Sequence, residues 1–281
     1  LLLAIAALVP YGINRKNDKL RTLPFRSPKA VPIVVSIIIL LLLIPVSITP
    51  LRANLLLADG YVYHIVDVRR SIASMNQGLS LGTYADLEYW YQAYDMYTER
   101  QQNMLSGEAR VLAYKYARDI LQKNFTKYPF DARTATYFGH VLDSAPPEVT
   151  RDETLERAVL SRAILFSPKR SQAWYMLANI SLRKGDALSA GAEKVRFYRE
   201  AISTIEEYSK MIPETAEPRY ILATLYLTIG DRESAKHWAD EALVLYPYDG
   251  SLATAKRASR YYVTIGDWTH AEQFLADIVS I

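Results

Sequence analysis

The chain has 281 residues, half of them apolar, and contains no cysteine, which excludes a disulfide framework and a zinc site built from thiolates. Its formal net charge of +3 is unevenly spread: the first 50 residues hold six basic residues and one acidic residue, and the rest of the chain is slightly acidic. The later residues therefore lack the concentrated basic face that nucleic-acid binding needs, and we expect no nucleic-acid partner.

Residues 1–50 are predicted to form a membrane segment. Residues 1–10 are apolar without an initiating Met, which indicates the end of a hydrophobic helix from a longer precursor. Residues 11–30 carry the six basic residues and form a loop. Residues 31–49 are uncharged over a length that matches the hydrocarbon core of a bilayer, about 30 Å, so they are predicted to span a lipid bilayer. A helix buried in a soluble core is the alternative.

The basic loop also predicts the orientation of the chain, because positively charged loops stay on the cytoplasmic side of a membrane. We therefore expect residues 51–281 on the extracytoplasmic side, in the cell envelope or at the cell surface. This part divides into membrane-proximal residues 51–130 and a regular array in residues 131–281.

Residues 51–130 are predicted to form divergent helical repeats. Apolar residues recur at helical spacing over residues 53–76 and 84–97, and the second of these helices is rich in aromatic residues. His64 and Asp67 are three apart in the first helix, a spacing that a metal ion could use. Two ligands do not make a metal site, so a polar helix surface is the simpler interpretation, and no cofactor is expected.

A pattern of small and apolar residues recurs through residues 131–281. In residues 171–186, the positions typical of the first helix of a repeat are filled by Trp174, Leu177, Ala178, Gly185 and Asp186. The unit that follows closes 34 residues after the one before it, from Pro213 to Pro247. This spacing resembles that of tetratricopeptide (TPR) repeats.

The resemblance implies an all-α fold in which a transmembrane helix is followed by an α-solenoid of TPR-like helical hairpins. Residues 187–197 are expected to loop out so that the second helix of their unit keeps the repeat spacing. The unit that begins at residue 131 is degenerate, because its inter-helix segment, residues 144–152, is long and lacks the Gly–Asp turn.

The resemblance further implies that the first helices line a concave face that binds a protein partner. The positions expected to point into this groove are Arg133, His140, Gln172, Tyr175, Asn179, Arg183, Tyr220, Thr224, Lys256 and Arg260. Tyr and Arg contribute much of the binding energy where they lose water at an interface. A solvated face without a ligand is the alternative for any one of these residues.

The last helix of the array is apolar where a solenoid normally ends in a polar face. Self-association is therefore expected through Phe274, Leu275, Ile278 and Ile281. Either the chain continues beyond residue 281, or another molecule covers this end, and the hypothesis for a complete chain is that this molecule is a second copy.

A hydrophobic span, a membrane-proximal helix, the segment of residues 78–96 and an outward TPR array together resemble the carboxy-terminal part of bacterial O-antigen ligase or polymerase family proteins. In that family the chemistry lies in earlier membrane helices and a large periplasmic loop, so the resemblance carries no catalytic residue over to this chain. The sequence also shows no phosphate-binding loop, nucleophile elbow or paired histidines, so we do not expect this chain to be an enzyme, while glycan ligase or polymerase activity in a full-length precursor stays open. Two hypotheses remain: an interaction module of a glycan-assembly protein, or a structural subunit that assembles with itself.

Overall fold

The computed structural model of the chain describes residues 30–98 and 103–280. The predicted hydrophobic segment and basic loop in residues 1–29, and Ile281, lie outside the described residues. All regular structure within the described part is helical. The chain divides between Thr49 and Pro50 into two compact units, each of which has its own internal contacts.

The first unit contains helix α1 (Ala30–Leu43), which continues into a π-helical segment (Ile44–Ile48). Pro45 lacks a backbone N–H, so it removes a hydrogen bond from the helix and accounts for the wider turn. Among the described residues, the helical run Val35–Tyr63 is long and apolar enough to cross a membrane. Its most apolar 18 residues have a mean hydropathy of 2.2, and only 6% of that stretch is buried inside the protein. This run overlaps the predicted span of residues 31–49 and extends beyond it.

The membrane-proximal part of the second unit is less regular than predicted. Its helices are α2 (Thr49–Tyr63), α3 (Val68–Leu79), α4 (Asp86–Met96) and α5 (Gly107–Lys127). The aromatic helix expected over residues 84–97 corresponds to α4. The single helix expected over residues 53–76 is wrong, because the chain leaves the helical path between α2 and α3.

Asp67 explains this break, since its side chain accepts a hydrogen bond from the backbone N–H of Arg70 at 3.0 Å and so begins a new helix. His64 lies in the break, and its Nδ1 is 2.5 Å from the carbonyl oxygen of Tyr61. His64 and Asp67 therefore do not share a helix face. The described residues contain no group of three or more His, Asp and Glu side chains that could hold a metal ion.

Four helical hairpins follow within the described residues. Their helices are α6 (Ala132–Asp143) with α7 (Glu153–Phe166), α8 (Ser171–Asp186) with α9 (Ala192–Met211), α10 (Glu217–Thr228) with α11 (Arg232–Leu245), and α12 (Leu252–Ile265) with α13 (Trp268–Ser280). Successive hairpins pack on one another through their helices. This part of the chain is therefore a TPR-like solenoid.

Local sequence sets the ends of these helices. The helices α6, α7, α11 and α12 begin at side chains that accept hydrogen bonds from backbone N–H groups of the first turn: Asp131, Asp152, Asp231 and Ser251. Gly230 and Gly266 end α10 and α12 with φ of 84° and 77°, a left-handed conformation that favours glycine. Residues 187–191 alone separate α8 from α9, so the expected loop of residues 187–197 is too long by nearly two helical turns.

Small residues allow the two helices of a hairpin to approach closely. A Cβ atom added to Gly139 on α6 would lie 2.4 Å from Cδ2 of Leu160 on α7. Ala223 on α10 and Ala242 on α11 are fully buried in the third hairpin. The alanine and glycine positions of the sequence pattern are therefore helix contacts, which is why larger side chains are absent from them.

We expect Ala242→Trp to lower the free energy of unfolding by about 1–3 kcal/mol or more, because an indole ring has no space between α10 and α11. Ala190→Trp is the matched control, since Ala190 is exposed in the loop between α8 and α9. Urea unfolding of both variants measures the difference. Equal midpoints for the two variants would contradict this assignment of the hairpins.

Candidate functional site: the first-helix groove

Two adjoining cavities open on the face formed by the first helices of the hairpins. One has a volume of about 330 Å³ and lies between α6, α8 and the loop of residues 144–152. The other has a volume of about 300 Å³ and lies mainly between α8 and α10. Asp143 and Asn179 line both cavities. We call the pair the first-helix groove, with a polar half at α6 and an apolar half at α10.

The polar half is built around Arg183. Its Nη2 donates to both carboxylate oxygens of Glu156, at 3.0 and 2.9 Å, and its Nη1 forms an ion pair with Asp143. Asn179 Nδ2 also donates to Asp143 Oδ1, at 3.1 Å. These three hairpin helices, α6, α7 and α8, are thus joined by one charged network.

Burial controls the electrostatics of this network. Glu156 is 1% exposed, and burial raises its pKa to about 7, while the nearby charges of Arg151 and Arg157 act in the opposite direction. Burial likewise lowers the pKa of Arg183. Removing Arg183 would leave the buried Glu156 without its hydrogen-bond donor, so the network stabilises the packing of the hairpins.

The loop of residues 144–152 closes the polar half from outside. Arg151 donates to the carbonyl oxygens of Asp143 and Ala145, the latter at 2.9 Å. Arg110 on α5 forms an ion pair with Glu148 in the same loop. The long inter-helix segment predicted from sequence is therefore an ordered wall of the groove.

The apolar half has a floor of aliphatic side chains from two first helices, chiefly Leu182 on α8 with Ile221 and Leu225 on α10. Tyr175 lies beside them, and its hydroxyl is buried without a well-formed hydrogen bond among the described residues. Burial raises the pKa of Tyr175, and the nearby charge of Glu217 raises it further.

At its far end the apolar half meets Arg257 of α12. The Nε of Arg257 lies 3.7 Å from Glu217 Oε1, and both side chains are partly exposed. The groove therefore offers an apolar floor with a charged group at each end. This arrangement suits a short peptide segment with an apolar side chain and polar main-chain groups.

The structure places the predicted groove residues in four groups. Tyr175, Asn179 and Arg183 line the two cavities of the groove. Arg133, Gln172, Lys256 and Arg260 are exposed but line neither of its cavities. His140 is half-buried against Tyr94, with ring centroids 5.5 Å apart, and Thr224 donates its hydroxyl to the carbonyl oxygen of Tyr220 in its own helix.

Tyr220 is wrong as a groove residue, because it is fully buried. Its ring lies 6.2 Å from that of Tyr262 and 5.9 Å from that of Phe274, so the last hairpin covers it. Sequence reasoning missed several groove residues, among them Leu182, Ile221, Leu225 and Arg257. Leu182 lies three residues after Asn179 on the same helix face, so helical spacing from that residue would have found it.

The residues predicted for self-association also separate. Phe274 is wrong as a surface contact, since it is fully buried with its ring 4.6 Å from that of Tyr246. Ile278 is half-buried, Leu275 is exposed, and Ile281 lies outside the described residues. Val279, which was not predicted, is 87% exposed.

No protein-family model and no curated protein matches this chain. Solved structures that resemble it include a thermophilic TPR protein of Thermus thermophilus, with 13% identity, a TM-score of 0.47, and coverage of 69% of this chain and 89% of that one. MamA has 14% identity, a TM-score of 0.39, and coverage of 60% and 88%. A monomeric IFIT1 mutant with m7Gppp-AAAA has 12% identity, a TM-score of 0.42, and coverage of 81% and 50%. The TPR-like assignment rests on the hairpins described above.

Proposed function

We propose that this chain is a scaffold that binds a protein partner through the first-helix groove and is anchored in a membrane by its apolar helical run. The apolar half of the groove supports the first part of this proposal. It combines an aliphatic floor, a buried tyrosine hydroxyl beside Glu217, and a charged group at each end. No such combination is needed merely to pack two helices together.

The shape of the groove favours a peptide segment over a small molecule. Each half is at the small end of the range for ligand pockets, about 300–1,000 Å³, and the two halves are joined in a line across three first helices. A peptide in extended conformation places alternate side chains on opposite sides, so one side chain can enter the apolar half while its neighbours reach the charged ends. Aliphatic and tyrosine side chains supply the contact area.

The membrane part of the proposal places residues 51–281 on the extracytoplasmic side. It is supported by the basic character of residues 11–30 and by the uncharged helix that follows them. The resemblance to the carboxy-terminal part of O-antigen ligase or polymerase family proteins adds a context, namely glycan assembly in the cell envelope. In this proposal the chain holds a partner of that machinery and does no chemistry itself.

Selection from a phage-displayed library of random peptides tests the groove. We expect peptides selected on the wild-type chain to bind Leu182→Glu and Ile221→Glu variants about tenfold more weakly or worse, because each change puts a charge on the apolar floor. Val244→Glu is the matched control, since Val244 is 72% exposed on α11 and lies away from the groove. Circular dichroism checks that all three variants fold.

Two results of this experiment would overturn the proposed binding site. One is a failure to enrich any peptide on the folded chain. The other is a set of peptides that bind the groove variants and the Val244 variant equally well.

Self-assembly is a second candidate function, and a stripe on α13 favours it. Trp268, Leu275 and Val279 are spaced so that they lie on one helix face, and all three are exposed. Soluble surfaces seldom expose large apolar side chains in a row without a partner.

We expect the double variant Leu275→Lys/Val279→Lys to reduce the oligomeric state of the full chain in detergent, if α13 joins copies of the chain. Analytical ultracentrifugation measures the mass, and Val244→Lys is the control for an added charge elsewhere. A monomeric wild type, with an unchanged double variant, would remove the self-assembly function and leave the binding scaffold.

A further inference from the structure

Helix α2 has two apolar faces, and only one of them packs against the rest of its unit. On the packed face, Ala53 and Gly60 are buried, and the hydroxyl of Tyr89 donates to the carbonyl oxygen of Ala53 at 2.5 Å. A Cβ atom added to Gly60 would lie 2.8 Å from Cγ of Met75, so α3 fits closely against α2 here. α2 is therefore held tightly to the second unit through this face.

The opposite face of α2 is apolar and exposed. Leu51, Leu55, Ala58 and Val62 follow one another at intervals of four, three and four residues, which places them in one stripe along the helix. Leu55 is 64% exposed and Val62 is 66% exposed. We call these four residues the outer stripe.

The charged groups of α2 avoid the outer stripe. Asp59 is turned toward α3, where it accepts hydrogen bonds from Ser74 at 2.5 Å and from Arg70 at 2.9 Å. Arg52 is exposed near the start of the helix, and its long side chain can reach water while its stem remains beside apolar groups. The outer stripe thus carries no charge for nearly three turns.

The apolar run that contains α2 indicates what covers the outer stripe. The apolar run Val35–Tyr63 has 29 residues, more than the about 20 that cross the hydrocarbon core of a bilayer. The residues left over, which include most of the outer stripe, are therefore available for contact with the head-group region. Tyr61 and Tyr63 end the run, and tyrosine is enriched where a helix leaves a membrane.

We propose that the outer stripe of α2 is covered by lipid at the membrane interface, so that the second unit contacts the bilayer surface through this face of α2. This inference rests on the membrane anchoring proposed above. The packed face of α2 supplies the rigidity, and the outer stripe supplies the contact with lipid. The membrane contact then extends to Val62, 13 residues beyond the predicted span of residues 31–49.

The absence of cysteine makes a direct test possible, since single cysteines can be introduced without removing others. Leu55→Cys and Val62→Cys report on the outer stripe, and Val244→Cys, at a similarly exposed position on α11, is the control. Each full-length variant is labelled with an environment-sensitive dye and reconstituted into phosphatidylcholine vesicles. Spin-labelled lipids then quench dyes that contact the bilayer, and iodide quenches dyes that are exposed to water.

We expect the dyes at positions 55 and 62 to shift to shorter emission wavelengths and to be quenched by spin-labelled lipid, while the dye at position 244 is quenched by iodide alone. Vesicle flotation is measured first, because a chain that fails to float overturns the anchoring and this inference together. A chain that floats with all three dyes quenched by iodide alone overturns the inference and leaves the anchoring intact. Dyes at positions 55 and 62 that are shielded from both quenchers would mean that protein covers the stripe, which also overturns it.

Discussion

Replacing Arg183 by Met is expected to lower the free energy of unfolding by about 3–5 kcal/mol near pH 8, because it leaves the carboxylate of Glu156 buried without a partner. Glu156 is 1% exposed and accepts two hydrogen bonds from Arg183. Arg196→Met is the matched control, since Arg196 forms its ion pairs with Glu193 and Glu200 at the surface. We expect the control to cost less than about 1 kcal/mol.

The loss of unfolding free energy in the Arg183→Met variant should grow as pH rises. Burial raises the folded pKa of Glu156 to about 7 from an ordinary value of 4.5. Loss of the guanidinium raises this pKa further, so the folded variant keeps the Glu156 proton from about pH 4.5 to above pH 7, whereas the unfolded chain releases it. The folded state of the variant therefore loses stability as pH rises through this window.

Urea unfolding at pH 4.5 and pH 8 measures this effect. We expect much of the deficit of the Arg183→Met variant to disappear at the lower pH, while the small deficit of the Arg196→Met variant changes little. A deficit of equal size at both pH values would contradict the role given to Glu156. The double variant Arg183→Met/Glu156→Gln should recover part of the loss at pH 8, because it no longer buries an unpaired charge.

Phe274→Ala is expected to lower the free energy of unfolding of the last hairpin by about 3–5 kcal/mol. Its ring is fully buried among Tyr220, Tyr246 and Tyr262, so its removal leaves a cavity lined by aromatic rings. Because stability in a solenoid is a sum over neighbouring units, the loss should appear first as faster hydrogen exchange in α12 and α13.

Leu275→Ala is the control for the Phe274 variant, since Leu275 is the next residue on α13 and is exposed. We expect this control to stay within about 0.5 kcal/mol of the wild type. Similar exchange rates in the two variants would show that Phe274 does not lie in the core.

The hairpins could be predicted because their sequence patterns are long and periodic. The first helix predicted for residues 171–186 coincides with α8, and glycine at residues 230 and 266 occupies the turns. The start of α9 was misplaced because its first residues, such as Ala192 and Glu193, are exposed and carry no apolar periodicity. A helix that begins in solvent leaves little sequence signal of where it starts.

The break between α2 and α3 escaped prediction for a different reason. Apolar residues continue through Ile65, Val66 and Val68, so periodicity alone favours one helix. The capping bond of Asp67 outweighs that pattern. An aspartate just before a helical run is itself a start signal, and giving it more weight would have found the boundary.

The site was the least predictable part because exposure depends on what packs over a residue. Tyr220 and Lys256 occupy equivalent positions in successive first helices. Tyr220 is buried under α12, whereas Lys256 lies on the last first helix of the described part and is exposed. Repeat spacing predicts where a side chain lies on its own helix. It does not predict whether the following hairpin packs over that side chain and buries it.

Photo-crosslinking in intact membranes tests most directly that the first-helix groove binds a protein partner. Benzoylphenylalanine is introduced at Leu182, at Ile221 and, as a control, at Val244, in cells that produce the full-length chain. We predict that the two groove positions give crosslinks to the same second protein and that Val244 does not. Crosslinks of equal yield from all three positions, or crosslinks from Val244 alone, would contradict the groove as the binding site.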